Sequence, residues 1–306
     1  MKNTTAKGTM SGKRTKSRCN EFYLVTTDNL KEGLWFRDDS DYKAGMNYVA
    51  VTSFVCGVIV LAFVLMSNHV HFVLQCTREE ALSFINAFKE ACSRYIFKRY
   101  GVKELLRRNG VDIQRICLDD ESFERGVAYV QMNPPAANLC LYPTAYPWGT
   151  GGVFFQVRPR KGTRLGSLSK RAARRLLHSN QVLPADWLVG EDGYIIPESY
   201  VPVAQVESLF RTPKRMDYFL RNSSKAKRRR EFGSNEVPAF SDQTVCSALP
   251  DLYRFLGGGF HVSDLDREQR TELVRQLRRC FYSDVHQIAR VTTLPLEDVV
   301  RCLDAP

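Results

Sequence analysis

No two of the nine cysteines stand in a Cys-x-x-Cys arrangement, and their number is odd, which argues against a disulfide framework and against a structural zinc. They read as reduced thiols of a cytoplasmic protein. Acidic side chains are missing from the first 18 residues, which hold six Lys or Arg. Because no apolar stretch follows them directly, the expectation for residues 1–19 is a disordered basic arm rather than a secretory signal. Charge is absent from Tyr48 to Met66, nineteen residues, which matches the length of a bilayer span. Thr52, Ser53 and Gly57 interrupt that run, and the β-branched Val58-Ile59-Val60 suits a strand. A helix end, a turn at Gly57 and two buried strands are therefore expected, with no membrane contact. A membrane anchor is the competing reading.

Against these gaps stand 44 Lys and Arg facing 33 Asp and Glu, a formal +11 that suits a polyanion, nucleic acid before a membrane surface. With 306 residues and 44% hydrophobic content, the chain is long enough for two domains with a substantial core.

Phe22 to Thr26 is a short β-rich run and reads as the first strand. Asp38-Asp39-Ser40-Asp41 supplies an N-cap cluster for a helix that ends before Gly57. Val58 to Leu65 and Val70 to Gln75 read as the next two strands, joined tightly at Ser67-Asn68. Their near-continuous apolarity implies a sheet covered by helices. From Arg78 to Tyr100, apolar residues recur at three and four, an amphipathic helix stopped by Gly101. Val111 to Ile116 alternates as a half-exposed strand. Asp119-Asp120 then offers an N-cap for a helix carrying Tyr129, with Pro134 ending it.

Past the Pro/Gly-rich stretch 143–166 the pattern turns helical and basic, which places a domain boundary near residue 158. Ser169 to His178 reads as a capped basic helix, Val203 to Phe210 as another, and Lys225 to Arg230 packs five positive charges into six positions. Lys225, Lys227, Arg228, Arg229 and Arg230 are candidate phosphate contacts. The last forty residues give two helices around Pro295, spaced as in a helix-turn-helix at 270–304. Arg301 is the candidate DNA contact there, although Glu297 and Asp298 share its helix.

His69-Val70-His71 sits inside the apolar run Phe63 to Leu74. On a strand, residues two apart share a face, so the imidazoles become neighbours while Val70 points to the core. Tyr129 and Asn133, four apart, share one face of a helix. Two imidazoles and an amide oxygen can ligate a cation that takes up charge on a phosphate, and a tyrosine can attack it. Nitrogen ligands tilt the choice from Mg²⁺ toward Mn²⁺. Each residue alone also has an ordinary reading: a hydrogen-bonded histidine pair, an Asn ending a helix before Pro, a core tyrosine.

The segments Leu65-Met-Ser-Asn-His-Val-His-Phe-Val-Leu74, Tyr129-Val-Gln-Met-Asn-Pro-Pro-Ala-Ala-Asn-Leu139 and Tyr146-Pro-Trp148, with Phe36-Arg-Asp-Asp39 upstream, resemble the signature segments of the REP-associated tyrosine transposases, within the single-tyrosine HUH transposase superfamily. The resemblance implies an α+β fold, with a ferredoxin-like antiparallel sheet and helices on one face over residues 20–157. A mainly helical, basic, DNA-associated extension over 158–306 would follow. It implies His69, His71 and Asn133 as ligands of a divalent metal, Mg²⁺ or Mn²⁺, and Tyr129 as the nucleophile forming a 5′-phosphotyrosine. The family often has Pro where Ser67 stands, and basic residues around Pro135-Ala136-Ala137-Asn138.

The function expected is a transposase-type endonuclease and strand transferase on single-stranded DNA at hairpin-containing element ends, working as a monomer or a homodimer. The alternative is a domesticated, non-catalytic DNA-binding regulator.

Overall fold

The structure is a computed structural model that describes residues 20–304 apart from 119, 159, 227–239, 258 and 260. The expected basic arm and the candidate contacts Lys227, Arg228, Arg229 and Arg230 lie outside the described residues. Among the described residues, no helix is long and apolar enough to cross a membrane.

The first half is α+β: β1 (Phe22–Thr27), α1 (Asp39–Cys56), β2 (Ile59–Leu65), β3 (Val70–Gln75), α2 (Arg78–Tyr100) and β4 (Val111–Ile116). The strands form one antiparallel sheet in the order β2-β3-β1-β4, the ferredoxin-like arrangement. Both long helices are fixed at their ends by local chemistry. Asp38 caps α1 by accepting from the Asp41 amide, and Gly57 closes it at a φ of 66°, where a side chain would be strained. Thr77 and Glu80 form a capping box at the start of α2, and Gly101, at a φ of 70°, ends it. The uncharged run from Tyr48 to Met66 is thus the second half of α1, the Gly57 turn and all of β2.

The register fixes the two faces. Thr26 lies opposite His71, Leu24 opposite Val73 and Phe22 opposite Gln75, so these six share one face. Phe72 points to the other face, where its ring meets Phe84 and Phe88 of α2 edge-on. The first face is not bare. The helix α3 (Ser122–Gln131) lies across it, with Phe123 against Phe22 and against Phe210 of α6 (Val203–Phe210). Helices therefore cover both faces, α1 and α2 on one and α3 with its neighbours on the other, as the apolarity of β2 and β3 requires.

Two local expectations around α3 are corrected. The helix begins at Ser122 rather than at an Asp119-Asp120 cap. Asp120 accepts from the Ser122 amide, and Glu121 occupies the cap position in a left-handed conformation with no side-chain capping bond. Pro134 does not simply end the helix either. It opens a second turn, α4 (Asn133–Ala136), where its missing N–H is harmless.

Packing puts no seam at residue 158. Tyr194, Val201, Val206, Phe210, Met216 and Phe219 belong to the same apolar cluster as the sheet. A small cluster joins α5 (Lys170–Leu177) to Ala50 and Val51 of α1. A separate core unites α8 (Asp242–Phe255), α9 (Arg267–Cys280), α10 (Val285–Thr292) and α11 (Leu296–Asp304), with Leu34 inserted from the first half. The element between α6 and α8 is α7 (Pro213–Asn222). The last two helices of the set are joined by Thr293, Leu294 and Pro295, with Thr293 left-handed.

Candidate functional site

His69 immediately precedes β3 and His71 lies within it, and their rings meet edge-on with centroids 4.8 Å apart. His71 is buried and faces α3, where the Tyr129 ring stands 5.4 Å from it, again edge-on. Asn133 is buried one turn further along. The structure therefore brings together His69, His71, Tyr129 and Asn133.

The polar side chains of the site are held by partners outside it. The Asn68 amide nitrogen donates to the Leu30 carbonyl at 3.2 Å, so its Oδ1 is the atom facing His69 Nδ1 at 2.8 Å. A carboxamide oxygen only accepts, so His69 carries its proton on Nδ1 and leaves Nε2 unprotonated. Thr26 Oγ1 holds His71 Nδ1 at 3.0 Å, and His71 Nε2 is buried with no hydrogen-bond partner. Asn133 Nδ2 donates to the carbonyls of Tyr129 at 2.9 Å and Val130 at 3.3 Å. The Val130 carbonyl is the one Pro134 cannot serve, so the side chain caps α3 and its oxygen stays free for the imidazoles.

An orphaned buried imidazole nitrogen beside a second imidazole and a carboxamide oxygen is the donor set of a divalent cation, and the residues fit one. Among the described residues, no three His, Cys, Asp or Glu side chains converge as a metal cluster, so a third protein donor beside the two imidazoles would have to come from another residue type, such as the Asn133 carboxamide. Partners such as Thr26 and Asn68, which orient ligands without touching a metal, escaped the sequence reading. Asn68 adjoins the pair in sequence, but Thr26 could be found only through strand register.

Electrostatics agree with neutral imidazoles. Burial is the main cause that depresses both, to about 3 for His69, with Lys225 and Arg290 adding to it; for His71 the neighbours that add are His69 and Lys225. Burial, and then Asp112, raises the Tyr129 phenol above its ordinary value. One prediction follows for protein held in chelator. Unfolded histidines take up protons below 6.5 while the folded ones do not, so stability is complete above that value and falls as the pH drops toward 3. The slope approaches about 1.4 kcal/mol per pH unit for each proton. Urea unfolding between about pH 7 and 5 checks it, and a flat profile contradicts it.

Of the remaining candidates, Lys225 sits at the site, its ammonium 4.9 Å from the centre of the Tyr129 ring. Arg301 is exposed and paired with Asp298 on its own helix.

One connection joins the C-terminal helices to the turn carrying His69. Asp242, buried at the start of α8, accepts from Ser67 Oγ at 2.7 Å, from Gln287 Nε2 at 3.1 Å and from the Arg290 guanidinium at 3.1 Å. The Ser67 hydroxyl, at the position where Pro often stands in the resembling family, makes a bond Pro cannot make. Asp242→Ala leaves Arg290 and Gln287 without their carboxylate, a loss on the order of 3 kcal/mol. A thermal melt measures it, and an unchanged midpoint would show the contact to be passive.

Residues 35–115 match the family model described as "Transposase IS200 like". That segment holds His69 and His71 and stops before Tyr129 and Asn133. The chain is also similar to a solved structure described as "Structure of the REP associates tyrosine transposase bound to a REP hairpin", at 16% identity and a TM-score of 0.32, over 61% of this chain and 99% of that one. No curated protein matches it.

Proposed function

We propose that this protein is a tyrosine endonuclease and strand transferase of the transposase type, acting on single-stranded DNA beside a hairpin. In this reading residues 20–157 carry the chemistry, 158–306 associate with DNA, and His69, His71 and Asn133 hold Mg²⁺ or Mn²⁺. The observation that carries it is the placement of the Tyr129 ring against His71, whose buried Nε2 has no hydrogen-bond partner. When bound, the ion supplies Lewis acidity toward a non-bridging phosphate oxygen.

The chain's own residues do the rest. Tyr129 Oη attacks phosphorus, an O–P bond forms to the 5′ side, the bond from phosphorus to the 3′ oxygen breaks, and the phenolic proton passes in net to that departing oxygen. The phosphotyrosine retains the phosphodiester energy, so a free 3′-hydroxyl can later reverse the step on another strand. Lys225, beside the ring, is placed to meet the phosphate that Tyr129 attacks.

The test is a hairpin oligonucleotide from a cognate element end, labelled at its 3′ terminus and incubated with Mg²⁺ or Mn²⁺. Label should travel with the denatured protein. Label transferred from the 5′ terminus instead would reverse the polarity assigned here, and none from either terminus would remove the reading.

A further inference from the structure

The face of the sheet opposite Tyr129 carries a groove that the chemistry above does not use. It runs between α1, α2 and α5, in two adjoining hollows of about 570 Å³ and 590 Å³ that share Tyr95, Arg175 and His178. Its cations are Lys43 from α1, Arg94, Lys98 and Arg99 from α2, and Arg174 and Arg175 from α5. No carboxylate lines either hollow. Arg94 is held by Glu90 of its own helix, and Arg99 is committed to Asp38 and Asp41. Lys43, Lys98, Arg174 and Arg175 make no ion pair among the described residues, and the last three are exposed.

Four like charges cost free energy when gathered without counter-ions, and the fold gathers them from three helices far apart in sequence. Helix α5 is placed for this. Leu177 and its neighbours pack it onto Ala50 and Val51, and Asn47 of α1 donates to the Leu176 carbonyl at 3.1 Å. Its arginines are thereby held beside Lys98. The rings in the groove are already engaged with one another. Tyr95 meets His178 edge-on at 5.2 Å, and Tyr48 lies 6.3 Å from Tyr95 and 6.5 Å from His178. These mutual contacts compete with the stacking of an unpaired base, which single-strand grooves ordinarily provide.

We propose that this groove binds the phosphate backbone of duplex DNA through Lys43, Lys98, Arg174 and Arg175, on the side of the sheet opposite the tyrosine. The choice of DNA as the polyanion rests on the function proposed above; the groove itself does not. Contacts of this kind carry no base specificity and release counter-ions, so they show a steep dependence on salt.

The experiment measures fluorescence anisotropy of a labelled duplex and of one of its single strands, over a range of salt, for the whole protein and for the Lys98→Ala, Arg174→Ala, Arg175→Ala triple variant. These three side chains are exposed and unpaired, so the fold is expected to tolerate their loss, and circular dichroism checks it. The wild-type protein should prefer the duplex. The variant should bind it at least about tenfold more weakly, equally for unrelated sequences, with the slope of log affinity against log salt reduced by about 3. Equal affinity of variant and wild type, or a wild-type preference for the single strand, overturns the proposal. Adduct formation on a short single-stranded substrate should be unchanged in the variant. Absence of any adduct in the wild type would count against the tyrosine chemistry while leaving the duplex measurement decisive for the groove.

Discussion

Replacing Tyr129 by Phe should leave the fold and DNA affinity in place and remove the covalent adduct, a loss on the order of 10⁴-fold or more in the rate of strand cleavage. The magnitude follows from what is deleted. Phe keeps the ring that packs edge-on against His71 and lies under the Lys225 ammonium, and it removes only the hydroxyl. The phenol is half-buried, and burial is the main cause that raises its pKa. Losing the hydroxyl should therefore cost little stability, and the melting temperature should stay within a few degrees. A denaturing gel of labelled oligonucleotide reads the adduct, and anisotropy reads binding. If cleavage survives with a water-derived 5′-phosphate, the site works as a hydrolytic nuclease and Tyr129 is a wall of the pocket. If binding falls with cleavage, the hydroxyl contributes to affinity, and the assignment of a purely chemical role is wrong.

The contrast between what the sequence revealed and what it hid has a physical cause. The strands from β1 to β4 and the helices α1, α2 and α6 were legible because their signals are local. A Gly at the exact point where a left-handed residue is needed ends α1 and α2, and an apolar run too short for a buried helix marks β2 and β3. His69 and His71 were legible for the same reason, since a period of two is a property of the strand alone. Thr26 was not. Its hydroxyl reaches His71 only because β1 lies beside β3 in a register that sets the two residues opposite each other, which no stretch of either strand encodes. The start of α3 was misplaced because a left-handed Glu121 intervenes between the aspartates and the helix, a conformation the residue type disfavours. Asp242 was hidden most completely. It lies 175 positions from Ser67, and only packing of the C-terminal core against the His69 turn gives its charge a partner there.

Substituting His71 by Ala should weaken divalent-metal binding by about 10³-fold, whereas Thr26→Val, which keeps the shape and removes the hydroxyl, should weaken it by only about 10–100-fold. The first deletes a donor atom; the second frees an imidazole to rotate and change tautomer. Isothermal titration with Mn²⁺ reads both affinities. Stability offers an independent reading. In chelator the Ala variant should melt close to the wild type, because the lost packing is offset by removal of a buried nitrogen that has no partner. With Mn²⁺ at about 100 times its dissociation constant, the wild type should gain about 2.7 kcal/mol, and the Ala variant almost nothing. A metal-dependent gain of equal size in both proteins would place the ion elsewhere. A gain in neither would leave the imidazole pair with no cation to bind, and the orphaned nitrogen of His71 would then have to meet a phosphate oxygen or a water directly.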